Sequence, residues 1–401
     1  MLIVEMMSTG DEVLHGQIVD TNAAWLADVF FQQGLPLSTR TTVGDELDTL
    51  ISTLLERSLY ADVLIVNGGL GPTSDDLSAQ AAAAAAGVEL VEHPEWIAHM
   101  ESYFADRGRP MSVSNRKQAM LPSCAELVDN PVGTACGFSL VINDCLMFFT
   151  PGVPSEFKVM VNDQILPRLR QLYALPQPPL CLRLTTFGRT ESGLAQQFDS
   201  LPLPEGCVMG YRSSAPIIEL KLTGPAKQQE AMEAAWQQVK QGVASNILFE
   251  GTDGLPASVV RKLTEKGLTL AVSESFSAGL LSWGLTSVEA PLRGAEVVPK
   301  GEETSTLETF LARAKRVAEQ YGAEIGLAVG EYQEGTLSVA LCTPTNSIAL
   351  RLRYMPRNHS VRVQQDVAVA LALDTLSRWL RGRADFGQHY EWLEEQDIII
   401  R

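Results

Sequence analysis

The 401-residue chain lacks any run approaching the roughly 20 consecutive apolar residues of a membrane span. It is also short of positive charge, with 31 Lys and Arg against 48 Asp and Glu and a net charge of −17. Nucleic acids and anionic membranes are gripped by stripes of Lys and Arg, so neither is expected as a partner. Cysteine is sparse: Cys124, Cys136, Cys145, Cys181, Cys207 and Cys342 are scattered, with no CxxC pair. The five histidines form no HExxH or similar pattern, and His93 and His99 do not share a helical face, so zinc is not expected. The opening MLIVEMMSTGDE has too short an apolar run and too acidic an end for a secretory signal. A reduced, cytoplasmic protein is the expectation. No internal repeat is present.

What is present is an alternation of strand-like and helix-like segments. LIVEMMSTG is a short apolar run, DTNAAWLADVFFQQG carries helical periodicity to a stop at Gly34, and LPLSTRTTVGD and ELDTLISTLLERS repeat the pair. ADVLIVNGG then reads as a buried strand, with Ser74, Asp75 and Asp76 opening an alanine-rich helix. LMFFTPG and SEFKVMVNDQILPRLRQ complete an α/β domain over residues 1–170. Alternation of this kind predicts a mostly parallel sheet with helices on both faces, and ligands at the carboxyl ends of the strands. After the proline-rich ALPQPPL, residues 171–252 read βαββαβ, the order of a small ferredoxin-like α+β unit. Residues 253–401 form a third αβ region with a closing helix over Val361–Leu380. Trp25, Trp236, Trp283 and Trp379 fall in amphipathic helices and read as core, and Tyr211–Ser214 as a polar hairpin turn. A homodimer is expected, with the apolar finish Ile398–Ile400 docking on another subunit.

The stretch VNGGLGPTSDDLSAQAAAAAAG, Val66 to Gly87, combines a phosphate cradle with carboxylates that repel phosphate. Gly68, Gly69 and Gly71 let backbone N–H groups converge, and a helix N-terminus follows with its partial positive charge. Thr73 and Ser74 add hydroxyls. Capping alone would account for Asp75 and Asp76. The turn Thr9-Gly10-Asp11-Glu12 supplies two more acids at a second strand end, however, and four exceed what capping needs. A divalent cation resolves the conflict, because carboxylate oxygens hold it and it bridges to phosphate oxygens. Asp11, Glu12, Asp75, Asp76 and Glu156 are the candidate metal ligands, and Asp76, Asp75 and Asp11 the candidate catalytic acids. Asn115 and Arg116, with the close-approach positions Gly133 and Thr134, are the candidate substrate contacts.

STGDEVLHGQIVDTNAAWLA, NGGLGPTSDD, SNRKQAMLP, NPVGTACGF and TPGVPSEF occur in that order across residues 1–170. Together they resemble the amino-terminal domain of the CinA family, which is similar to the molybdopterin-binding fold of MogA and MoaB proteins. The resemblance implies a three-layer domain of that fold. It also implies hydrolysis of the pyrophosphate of ADP-ribose or a related nucleotide, dependent on a divalent metal such as Co2+, Mn2+ or Mg2+. In the molybdopterin-binding relatives the aspartate after the glycine-rich turn matches Asp76.

The third region resembles the carboxy-terminal CinA domain, of nicotinamide mononucleotide amidase fold, whose pattern is AESCTGGLL. Here SESFSAGLL keeps Glu274, Ser275, Gly279, Leu280 and Leu281 but places Phe276, Ser277 and Ala278 where Cys, Thr and the first Gly stand. Downstream VVPKGEET has Pro299 at the family's Tyr and Thr304 at its Lys, with Lys300 one step away, and the glycine-rich loop is replaced by Gly330–Gly335. Arg362 is retained. Losing the partners of a nucleophile removes catalysis by orders of magnitude. A degenerate, non-catalytic amidase is therefore expected, with Ser275, Ser277 and Arg362 as its remnants and Ser275 left to cap a helix. The competing reading for the whole chain is a nucleotide- or pterin-binding regulatory scaffold without turnover.

Overall fold

The computed structural model describes residues 2–299, 306–355 and 359–401. Lys300 and Thr304 lie outside the described residues. The chain divides into two compact units, Met1–Pro179 and Leu180–Arg401.

The first unit begins with β1 (Val4–Thr9), α1 (Asp11–Leu14), α2 (Thr21–Gln32), β2 (Leu37–Val43), α3 (Leu47–Ser58), β3 (Val63–Asn67) and α4 (Ser78–Ala86). It continues with β4 (Leu90–Glu92), α5 (Pro94–Ala105), β5 (Met120–Pro122), β6 (Glu126–Val128), β7 (Gly137–Ile142), β8 (Cys145–Thr150), α6 (Pro154–Met160) and α7 (Leu166–Leu172). The main sheet has the order β2-β1-β3-β8-β7-β6. Its first four strands are parallel, while β7 and β6 join antiparallel. Every residue of β1, β3 and β8 is buried, as expected for parallel strands covered on both faces.

The pleat of β3 divides the core. Val63 and Ile65 pack with Leu26, Phe30, Phe157 and Leu169 of α2, α6 and α7. Leu64 and Val66 pack with Leu50, Leu54, Ala81 and Met100 of α3, α4 and α5. The result is the three-layer arrangement that the alternation predicts. Helix α2 starts on Asp20, whose carboxylate accepts from the Ala23 N–H at 2.8 Å. Between α6 and α7 the chain passes through one wider π-helical turn, Val161–Ile165. Pro167 follows it, has no N–H and would crowd the carbonyl four residues back in an ordinary α-helix.

The second unit opens with β9 (Leu180–Phe187), α8 (Glu191–Phe198), β10 (Val208–Ser214), β11 (Ile217–Gly224), α9 (Gln229–Gly242) and β12 (Ile247–Glu250). Their sheet is antiparallel, in the order β10-β11-β9-β12. This is the ferredoxin-like arrangement. Tyr211–Ser214 belongs to β10 rather than to the turn, which lies at Ala215-Pro216.

The rest comprises α10 (Leu255–Glu265), β13 (Leu270–Glu274), α11 (Leu280–Thr286), β14 (Leu292–Val297), α12 (Leu307–Tyr321), β15 (Ile325–Val329), β16 (Thr336–Cys342), β17 (Ser347–Tyr354), α13 (Val361–Leu380) and β18 (Leu393–Ile400). The sheet order is β14-β13-β15-β16-β17-β18. Two expectations are corrected here. Ile398–Ile400, expected on another subunit, pairs with Ile348–Leu350 of its own sheet, where backbone hydrogen bonds are at hand. Trp283, expected in the core, is 70% exposed because it sits on the outer face of a two-turn helix anchored through Leu281 and Leu285. Among the described residues no helix is long and apolar enough to cross a membrane.

The ferredoxin-like layer and the C-terminal sheet share one apolar cluster, in which Phe187 and Leu248 meet Val259, Leu376 and Trp392. Arg378 welds the junction: its side chain is 3% exposed and bonds Asp374 at 2.7 Å, Asp385 at 3.0 Å and the Ser245 carbonyl at 2.7 Å. Burial alone would lower the Arg378 pKa, but the Asp374 charge beside it reverses that and holds the group cationic. Removing one partner of a buried ion pair typically costs about 3–5 kcal/mol. Asp374→Ala is therefore expected to lower unfolding stability by about that amount, measured as a drop in urea midpoint. A change below about 0.5 kcal/mol would refute the weld. Asp385 gives a second readout. Its hydrogen bond from Arg383 holds its carboxyl down to about 2 from an ordinary 3.8. The associated stability is complete above that ordinary value and is lost as pH falls through it toward 2. Asp385→Asn should flatten the acid limb of the stability–pH curve between about pH 4 and 2.

Candidate active site

Three parallel strands deliver their ends to one cleft of about 550 Å³, lined from residues between Ser8 and Glu156 of the first unit. β1 ends in Thr9-Gly10-Asp11-Glu12, β2 in Val43-Gly44-Asp45-Glu46 and β3 in Asn67-Gly68-Gly69. The β3 turn is tight. Gly68 and Gly69 have φ of 114° and 67°, and a Cβ on Gly68 would lie 2.6 Å from the Thr9 hydroxyl. The turn is pinned to α4, since Ser78 donates its hydroxyl to the Gly68 carbonyl at 2.8 Å and its N–H to the Gly69 carbonyl at 3.1 Å.

The floor is organised by Asn67, which is 5% exposed. Its amide donates to Thr150 Oγ1 at 3.2 Å and the Pro151 carbonyl at 2.7 Å, and its Oδ1 accepts from Asn22 Nδ2 at 3.0 Å. Asn22 Nδ2 also donates to the Gly152 carbonyl at 2.8 Å. One side chain therefore joins β3, the start of α2 and the loop after β8. Beside it, Thr9 Oγ1 and Asn22 Oδ1 are buried without a hydrogen-bond partner.

The rim is acidic. Glu12, Asp20, Asp45, Asp75, Asp76 and Glu156 line the cleft, and none of the described residues lining it is Lys, Arg or His. Asp45 carries the mark of this crowding. Burial raises its pKa first, and the charges of Asp11, Glu12 and Asp75 add to the rise against a backbone hydrogen bond from Asp11. Asp11 and Asp45 staple the two loops reciprocally. The Asp11 N–H donates to Asp45 Oδ2 at 3.0 Å, and the Asp45 N–H to Asp11 Oδ1 at 3.2 Å.

Of the candidate residues, Glu12, Gly68, Gly69, Gly71, Thr73, Asp75, Asp76, Thr134 and Glu156 line the cleft. Asp11, Ser74, Asn115, Arg116 and Gly133 do not. Arg116 faces Glu92, at 2.9 Å, and Asn115 donates to Gln118 at 3.0 Å. It is Lys117 that reaches the glycine-rich segment, donating to the Thr73 carbonyl. Gly133 makes room for the Glu156 carboxylate, which accepts from Asn130 at 2.7 Å.

Two further expectations are corrected. Ser74, Asp75 and Asp76 do not open the helix: α4 begins at Ser78, because Asp76 turns back to accept from the Thr73 N–H at 2.8 Å and from its hydroxyl. The Gly68 N–H is not part of a cradle, since it donates to the Thr150 carbonyl at 2.9 Å. The Thr73 hydroxyl and, more weakly, the Lys117 charge hold the exposed Asp75 carboxyl below its ordinary value.

Asp45, Thr9, Asn22 and Asn67 were absent from the candidates. A signal for Asp45 exists in the sequence, since Val-Gly-Asp-Glu at 43–46 repeats the Thr-Gly-Asp-Glu of 9–12 at the end of a neighbouring strand. Among the described residues, no three His, Cys, Asp or Glu side chains gather as a ready-made metal site.

The corresponding edge of the second unit is filled by its own side chains. Glu274, fully buried at the end of β13, accepts from the N–H groups of Gly279, Leu281 and Ser282 at 3.2, 3.0 and 2.8 Å, and from the hydroxyls of Ser277 and Ser282. These amides are no longer available to an oxyanion. Ser275 does not cap α11, whose N-cap is Gly279; its Oγ accepts from Arg313 at 3.0 Å. Arg313 also donates to Ser273 Oγ at 2.8 Å and to the carbonyls of Ser273 and Val329 at 3.0 and 2.6 Å. Arg362 pairs with Asp366 at 3.4 Å on an exposed face.

The first unit has a fold of the molybdopterin-binding-like class. Residues 5–171 match the family model described as "Probable molybdopterin binding domain". The chain is 58% identical over 394 residues to a CinA-like protein of Escherichia coli O9:H4 (strain HS), covering 98% of each. The same identity and coverage hold for the NMN amidohydrolase-like protein YfaY of Escherichia coli (strain K12). The solved structure of the protein CinA with unknown function from Thermoplasma acidophilum is 26% identical, covering 41% of this chain and 96% of that one, with a TM-score of 0.38. The chain belongs to the CinA-like family.

Leaving buried donors and acceptors unpaired costs about 1–3 kcal/mol. Asn67→Ala should therefore lower the stability of the chain by at least that range, measured by thermal unfolding followed by tryptophan fluorescence. An unchanged midpoint would show that Asn67 does not organise the floor.

Proposed function

We propose that the first unit hydrolyses the diphosphate of ADP-ribose or a related nucleotide with the help of a divalent metal, and that the amidase-like region is non-catalytic. The observation that carries this reading is the charge of the cleft: six lining carboxylates and no lining cation among the described residues. A diphosphate entering alone would be repelled. With a hard cation such as Mg2+ or Mn2+ the repulsion becomes attraction. Mg2+ characteristically takes one or two carboxylates, keeps several waters and shares substrate phosphate oxygens. An acidic cleft in which, among the described residues, no three of the acids gather as a ready-made set suits that mode better than a closed zinc-type site. Asp76 and Glu12 would hold the metal, which when bound neutralises the phosphates and lowers the pKa of its water.

The residues have distinct parts. Asp75, kept in its carboxylate form, takes the proton from the attacking water. The water oxygen forms a bond to one phosphorus as the bridging P–O bond breaks, and the leaving phosphate carries away the electron pair. Thr73 fixes Asp76 from two sides, and the half-buried Asp45 adds to the demand for positive charge. In the second unit, Glu274 occupies the amides that an acyl-transfer site would need. Arg313 donates to Ser275 Oγ and fixes its position.

Incubated with ADP-ribose and Co2+, Mn2+ or Mg2+, the protein should release AMP and ribose phosphate, and a chelator should stop it. Asp76→Asn should lower kcat by about 100-fold or more. Nicotinamide mononucleotide should yield no ammonia. Nucleotide binding without turnover under any metal would establish the scaffold reading instead, and ammonia release would overturn the non-catalytic assignment of the second unit.

A further inference from the structure

Thr9 Oγ1 and Asn22 Oδ1 are unusual because they are buried, unpartnered and at the floor of an open cleft. Thr9 is 5% exposed and Asn22 6%. Buried polar groups in native proteins are nearly always paired, and exceptions mark functional sites or bound solvent. The orientation of Asn22 is fixed. Its nitrogen faces two acceptors, Asn67 Oδ1 and the Gly152 carbonyl, so a flipped amide would set oxygen against oxygen. Asn67 cannot turn to relieve that, because its own nitrogen is committed to Thr150 Oγ1 and the Pro151 carbonyl. Asn22 therefore presents an acceptor and nothing else, and Thr9 beside β3 presents a hydroxyl that can give or take.

We infer that this pair receives the vicinal hydroxyls of the ligand's sugar, so that the cleft takes nucleotides bearing an unmodified ribose with the diphosphate held above it at the acidic rim. One sugar hydroxyl donates to Asn22 Oδ1. Its neighbour exchanges a hydrogen bond with Thr9 Oγ1 in either direction. A phosphate oxygen has no proton to offer Asn22. An adenine edge also sets an amino donor beside a ring-nitrogen acceptor, and equal binding of the two ring phosphates below would point to it instead. A diol satisfies both. This assignment rests on the diphosphate reading above and concerns a different part of the same ligand.

The experiment uses the full chain with Mn2+ and three non-turnover probes in isothermal titration calorimetry. The probes are ribose 5-phosphate, tetrahydrofurfuryl phosphate (the same ring without hydroxyls) and inorganic pyrophosphate. A site built around a ligand hydroxyl discriminates strongly against the analogue lacking it. The wild type should bind ribose 5-phosphate at least about tenfold more tightly than tetrahydrofurfuryl phosphate. Asn22→Leu should erase that preference. Thr9→Val, which keeps shape and loses only the hydroxyl, should reduce the preference even if Asn22→Leu folds poorly. Equal binding of the two ring phosphates by the wild type, with pyrophosphate still bound, would overturn the sugar assignment and leave the diphosphate reading standing. A preference that survives in Thr9→Val and Asn22→Leu would also overturn it. Failure of the wild type to bind any of the three would sink both.

Discussion

The first unit hangs on one buried amide. Asn67 ends β3 with three side-chain hydrogen bonds to neighbours from two distant parts of the chain, at position 22 and at positions 150 and 151. A strand in that place requires only an apolar residue; a carboxamide does more, because it has two donors and an acceptor in a rigid plane. It brings the start of α2 and the loop after β8 to the carboxyl edge of the sheet, where parallel strands already leave their loops. The cleft exists because that edge is held open by polar bonds rather than closed by side chains.

The two units share this topological position and treat it oppositely. In the second, the carboxylate at the end of the central parallel strand, Glu274, is enclosed and takes five donors from the next helix and its lead-in. A buried charge is tolerable only when so paired. The arrangement is therefore stable. In the first, Thr9 and Asn22 keep groups unpaired at comparable depth. Replacing the family's Cys, Thr and Gly by Phe276, Ser277 and Ala278 fits this saturation: Ser277 donates inward to Glu274, and Phe276 stacks on Tyr332 at 5.2 Å between ring centroids.

The architecture was legible because it is written in periodicity. The buried run Val63–Asn67, the helical face of α2 with its Asp20 start, and the βαββαβ rhythm over 180–250 each follow from local spacing. The acids at Asp75, Asp76 and Glu12 were legible because carboxylates beside glycines at strand ends are informative on their own. What was not legible depends on contacts between distant segments. Asn22, seen in sequence, is one polar residue in a helix; only the fold shows that its nitrogen is consumed and its oxygen is not. Arg116 and Lys117 are adjacent and chemically alike, and the 3-10 turn over Val113–Ala119 sends one to Glu92 and the other to the Thr73 carbonyl. Trp283 misled because a two-turn helix has too few residues to establish which face is inward.

Crowding six carboxylates around an open cleft is costly unless each is restrained, and the restraint is local in every case where the structure shows one. Asp20 is held by Ser8 at 2.6 Å and by the Ala23 N–H, Asp45 by the Asp11 N–H, Asp76 by Thr73 and Glu156 by Asn130. These donors are neutral. Pairing with Lys or Arg would have cancelled the charge, whereas neutral hydrogen bonds fix position and leave the potential of the cleft negative. On the metal-dependent reading proposed above, the ordering of the acids precedes the arrival of the cation that neutralises them. A purely structural role would gain nothing from holding like charges together in this way; burial first, and then the charges of Asp11, Glu12 and Asp75, raise the Asp45 pKa.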